Sequence, residues 1–106
     1  MDRREKLDEE LRAVMEKVYG YSHTYFQPPK STRMQYDCIR YKKSTMKVRP
    51  ANNHSYMIRD AYDVTAICRD ADSELPRAIQ ERFPYCMPGH FYVADDLYHY
   101  PFTIHY

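Results

Sequence analysis

Residues 61–76 read AYDVTAICRDADSELP, a strand that hands over to a helix through a short polar turn. Tyr62, Val64, Ala66 and Cys68 alternate onto one face, and Asp63, Thr65 and Ile67 onto the other. A run that starts near Tyr56 and carries apolar residues on both faces is the pattern of a central strand. Beyond it, Asp72 or Ser73 can cap a helix over about residues 73–83, with Leu75, Ile79 and Phe83 spaced by four. Pro76 is tolerated there because amides of a first helical turn have no intrahelical partner to lose.

Upstream, Leu7, Leu11, Val14, Met15 and Val18 fall on one face of a helix over about residues 2–18. Asp2 can cap its start, Glu5 stands in a capping-box position, and Gly20 stops it. Tyr21 to Ser31, with Pro28-Pro29, reads as an irregular connection. Met34 to Tyr41 reads as a strand, and Thr45 to Arg49 as its short return partner. Downstream, residues 90–106 read as a C-terminal hairpin, with strands near His90–Ala94 and Tyr98–Tyr106 turning at Asp95-Asp96. Tyr98, Tyr100, Phe102, Ile104 and Tyr106 share one face of the last strand, and His99, Pro101, Thr103 and His105 the other. Pro101 lacks an amide hydrogen, which favours an edge or a bulge. The order α-β-β-β-α-β-β makes one α+β domain over residues 1–106, a small antiparallel or mixed sheet packed with two helices.

Composition sets what this domain has to work with. Of 106 residues, 12 are tyrosines, whereas Leu, Ile, Val and Phe together number 18. That is lean for a packed core, yet 16 basic residues against 15 acidic ones leave a net charge of +1, too low for disorder by charge. Tyrosine buries a large ring and keeps a hydroxyl that wants a partner, which suits interfaces better than dry cores. The charged opening MDRREKLDEE excludes a secretory signal there, and no run is long enough for a membrane span. Three widely spaced cysteines, Cys38, Cys68 and Cys86, read as reduced thiols in a cytoplasmic setting.

The charge is unevenly placed. Lys30 to Arg49 holds Lys30, Arg33, Arg40, Lys42, Lys43, Lys47 and Arg49 against Asp37 alone. Lys42, Lys43, Lys47 and Arg49 form a positive arm that fits nucleic acid or an acidic protein surface, or else a solvated hairpin whose lysines discourage edge pairing.

Chemistry is sparse by comparison. Cys86 and His90 have a zinc-compatible spacing, but a second ligand pair would have to come from isolated Cys38, Cys68, His99 or His105. Cys86 with His99 or His105 lacks any nucleophile elbow. Two glycines in the whole chain exclude a phosphate-cradling loop. Asp95-Asp96 reads as a hairpin tip facing water. We therefore expect no enzyme, no catalytic, cofactor or metal site, and no bound cofactor. Aromatic strands beside a basic hairpin leave a small nucleic-acid-binding module as one alternative, without any RNP-like run to support it.

The strings YFQPPKSTRMQYDCIRYKK, ANNHSY, AYDVTAICRDADSELP and HFYVADDLYHYPFTIHY resemble the tail terminator, or tail completion, proteins of long-tailed bacteriophages. The resemblance implies a homo-oligomeric ring, a hexamer, capping the head-proximal end of the tail tube in the virion after assembly in the host cytoplasm. Its partners would be the major tail tube protein and the head-tail connector or neck protein, with at most non-specific contact with DNA in the lumen. A neck adaptor on the portal side is the related alternative. On this reading Lys42, Lys43, Lys47 and Arg49 dock on the tube, and Tyr98 and Tyr100 lie between subunits.

Overall fold

A computed structural model describes residues 3–44 and 60–106. Its elements are α1 (Arg3–Tyr19), β1 (Thr24–Phe26), β2 (Cys38–Lys43), β3 (Ala61–Cys68), α2 (Leu75–Arg82), β4 (Cys86–Pro88), β5 (Tyr92–Ala94) and β6 (Leu97–His105). The class is α+β. The sheet runs β1-β2-β3-β6-β4, with β5 also paired to β6. Among the described residues, β1 alone pairs parallel, with β2. The other pairings are antiparallel.

The strand quoted at the outset sits in the middle, as its two-sided apolar pattern requires. Val64 lies opposite Tyr41 in β2 and Phe102 in β6. Tyr62, Val64, Ala66 and Cys68 are buried under the helices together with Ile39, Tyr41, Phe102 and Ile104. The helix stripes close this core: Leu7, Leu11, Val14 and Met15 from α1, and Leu75 and Ile79 from α2 with Phe83 just beyond it. Among the described residues, the opposite face has a small cluster, Cys38, Ile67 and Leu97, with Tyr25, Met34 and Tyr36 against it.

Local chemistry explains the ends. Gly20 leaves α1 at φ +82°, a left-handed conformation that a side chain disfavours, while its amide bonds the Glu16 carbonyl at 2.8 Å. The N-cap of α2 is Glu74, not Asp72 or Ser73, and its side chain makes no cap bond. Ser73 Oγ instead accepts from the Leu75 amide at 3.3 Å and pairs with the Tyr19 hydroxyl. Asp95 and Asp96, at φ +52° and +61°, form the two-residue turn between β5 and β6.

The sheet departs from the sequence reading in four places. Thr24–Phe26 is a strand inside the stretch expected to be irregular, and Cys86–Pro88 is a further strand after α2. The strand expected over Met34–Tyr41 runs Cys38–Lys43, so Lys42 and Lys43 belong to the ladder and not to a turn. Its antiparallel partner is β3; the expected return strand Thr45–Arg49 and the cap at Asp2 lie outside the described residues.

Pro101 lies opposite a bulge: between the pairs Pro88–Phe102 and Tyr92–His99, residues 89–91 face only Tyr100 and Pro101. Its strand is interior, and its carbonyl accepts from the Gly89 amide at 2.8 Å, facing the step between β4 and β5. The missing amide hydrogen points to that same side, where the ladder is already interrupted.

Candidate assembly surfaces

Among the described residues, the large exposed apolar side chains all fall in one segment: Tyr85 (47%), Met87 (60%), Phe91 (57%), Tyr92 (44%) and Val93 (58%). Between Tyr85 and Ala94 the chain carries no Asp, Glu, Lys or Arg. This segment is the far edge of the sheet, built from the short strands β4 and β5.

The rings there are held in place. Phe91 stacks on Tyr100 with centroids 5.6 Å apart, and Tyr92 stacks on buried His99 at 4.7 Å. Next to them, Pro76, Pro88, Gly89, Phe91, Tyr100 and Pro101 line a notch of about 140 Å³. A rigid aromatic edge beside a small apolar notch loses little side-chain entropy when covered, which is the character of an interface centre.

A second surface lies near the opposite edge. Lys42 and Lys43, exposed at the end of β2, separate two hollows. One, of about 540 Å³, is lined by Gln27, Pro28, Arg40, Lys42, Lys43 and Asp63 among others. The other, of about 380 Å³, is lined by Arg3, Arg4, Phe26, Lys43, Asp60 and Tyr62. Arg4 lies over the Phe26 ring, its guanidinium carbon 4.7 Å from the centroid. The first hollow lies on the face that carries Arg40, Lys42 and Asp63, and the second on the helix-covered face beside Tyr62, so Lys43 stands where the two faces meet at the end of β2.

Of the other residues singled out in the sequence, Lys47 and Arg49 lie outside the described residues. Tyr98 and Tyr100 are half-buried. The Tyr100 hydroxyl donates to the Ala71 carbonyl at 3.2 Å, so part of this residue belongs to the monomer. Phe91, Tyr92, Arg3, Arg4 and Phe26 were not singled out. The signal for the first two was the charge-free run from Tyr85 to Ala94, whereas Arg3, Arg4 and Phe26 meet only through β1, a strand with no sequence pattern of its own.

The thiols are scattered. Cys38 is buried in the small cluster on one sheet face, Cys68 in the main core on the other, and Cys86 is half-buried beside α2. Burial pushes the Cys86 thiol up to about 11 and the Cys38 thiol to about 12, so both are protonated, weakly nucleophilic thiols at neutral pH. Among the described residues, no three His, Cys, Asp or Glu side chains converge as metal ligands. No helix there is long and apolar enough to cross a membrane.

One polar group ties the elements together. Asp8 accepts hydrogen bonds from Tyr41 at 2.7 Å, from Arg12 at 2.7 Å and from Thr24 at 3.0 Å, joining α1 to β1 and β2. Burial alone would raise its pKa, but these donors outweigh it and hold the carboxyl below its ordinary value. The same bond pushes the Tyr41 hydroxyl up, after the larger effect of burial.

Comparison of the chain with protein-family models, with curated proteins and with solved structures gives no match.

Proposed function

We propose that this chain is a structural subunit of a phage tail, a terminator that closes into a ring on the head-proximal end of the tail tube, ends tube growth and joins the tail to the head connector. The observation that carries self-association is the exposed, charge-free edge of β4 and β5 with its stacked rings and notch. Exposed apolar side chains gathered along one sheet edge of a small domain mark an interaction site. The resemblance of the strings quoted above supplies the tail context.

The mechanism is capping by complementary surfaces. The apolar edge and the basic end are different surfaces on opposite sides of the sheet, so contact of the edge with a different face of the next copy is heterologous, and it closes when the subunit rotation closes. Lys42 and Lys43 are left to dock on the tube, the role that the sequence reading also gives to Lys47 and Arg49. No step requires bond chemistry.

The test is the mass of the purified full chain in solution, together with a Met87→Asp/Phe91→Asp variant. We expect a closed oligomer for the native chain and a folded monomer for the variant, since an unpaired charge in an apolar contact costs several kcal/mol. A monomer at all concentrations for the native chain sinks the ring. Particles lacking the protein should have overlong tails or unattached heads; a twelve-membered ring that binds portal protein and not tube protein would favour the neck adaptor instead.

A further inference from the structure

We infer that the groove between α1 and α2 is the receptor for the charge-free β4–β5 edge of a second copy of this chain. The inference rests on the ring reading and names the face of the next subunit that the edge meets. The groove, of about 480 Å³, is lined by Val14, Lys17 and Val18 from α1 and by Ala78 and Glu81 from α2, with Glu74 at the start of that helix. Val18 ends the apolar stripe of α1, yet it and Ala78 are half-buried, so the two helices leave apolar surface open between them.

Charge selects this groove over the other hollows. A charge-free segment strands any unpaired ion that it covers, and that penalty outweighs the burial of a few apolar side chains. Among the described residues, the hollow on the open sheet face holds Arg40, Lys42 and Lys43 against Asp63 alone. In the hollow beside Phe26, Arg4 already lies over the ring. Between α1 and α2 the ions are matched: Arg77 lies 3.7 Å from Glu81, Arg82 bonds Glu10, and Lys17 and Glu74 bring one charge of each sign. Ions on a rim keep their partners and their water when an apolar edge settles on the floor between them. The edge also brings Tyr92, whose ring is stacked on His99 and whose hydroxyl can bond Glu74 or Lys17.

Placement adds curvature. α2 carries Pro76 and Gln80 on the notch beside the edge, and Ala78 and Glu81 on the groove, so the two surfaces flank one helix. A donor and a receptor on neighbouring sides of a subunit turn each added copy relative to the last, which favours closure over a straight filament.

The test uses the full chain in two complementary variants. The edge variant is Met87→Asp/Phe91→Asp, and the groove variant, Ala78→Asp, places a charge on the floor. Each keeps one surface intact. We expect both to be monomers with native circular dichroism, and Ala78→Asp to self-associate roughly a hundredfold more weakly than the native chain. Their equimolar mixture should form pairs of one copy each, the groove of the first holding the edge of the second. Because Ala78 packs against the core, Lys17→Glu/Arg77→Glu on the exposed rim is a second groove variant. It leaves carboxylates without cations around the floor, should weaken self-association roughly tenfold, and replaces Ala78→Asp in the mixture if that chain does not fold.

Native-like assembly by a folded groove variant would overturn the inference and leave the ring standing, since the edge then meets another face. Folded edge and groove variants that are monomers and fail to pair when mixed would overturn it as well. If the mixture pairs but the native chain grows into open filaments, the ring falls and the groove contact stands.

Discussion

Asp8 shows how much one side chain can organise. Three donors from α1, β1 and β2 converge on its carboxylate, and one of them belongs to Tyr41, among the largest fully buried side chains. Asp8→Ala strands the Tyr41 hydroxyl without that acceptor, and we expect a loss of roughly 1–3 kcal/mol in urea unfolding at neutral pH. The pH dependence has a definite sign. Because folding lowers this pKa from its ordinary 3.8, the ionised group adds stability above that pH, and the benefit disappears as pH falls through the lower folded-state value. Native protein should therefore lose stability below about pH 4 more steeply than Asp8→Asn. Parallel acid titrations of the two, followed by circular dichroism, check this; identical slopes would rule it out.

At the level of elements, legibility followed periodicity. α1, β3 and α2 were readable because Leu7, Leu11 and Met15, the Tyr62-to-Cys68 alternation, and the Leu75, Ile79, Phe83 spacing each repeat several times. β1 and β4 were not, since three residues beside prolines carry no period, and only pairing with β2 and β6 makes them strands. The candidate surfaces were legible in half: Lys42 and Lys43 stood out by charge, but the edge of β4 and β5 emerged only once the sheet order was known. The β5–β6 hairpin offers a clean measurement. Asp96 holds φ at +61°, which glycine adopts without strain, so Asp96→Gly should raise stability by about 0.5–1 kcal/mol. A lower thermal midpoint for that variant would show that the Asp96 side chain contributes more than its backbone strain costs.

For the whole molecule, the sparse aliphatic content resolves into two economies. The helix-covered face has a full core, in which Tyr41 and Tyr62 are buried beside aliphatic residues, while among the described residues the other face has a three-residue cluster. Cys38 and Cys68, one on each face, are both fully buried, so they report on both layers. We expect a soluble disulfide reagent to modify only half-buried Cys86 in the native protein, slowly because its thiol is protonated. Cys38 and Cys68 should react at the rate of global unfolding. Reaction of Cys38 well ahead of Cys68 would show that the thinly covered face opens by itself.

The step between β4 and β5 has a consequence for growth. A continuous outer strand would offer any extended chain a template for endless lateral addition. Here Pro88, Gly89 and Pro101 meet where one short strand gives way to the other, and Pro88, at the end of the outer strand β4, has no hydrogen to donate. A visiting strand finds a few residues of pairing and then a break, so the edge accepts a shaped neighbour and resists becoming the seed of a fibre.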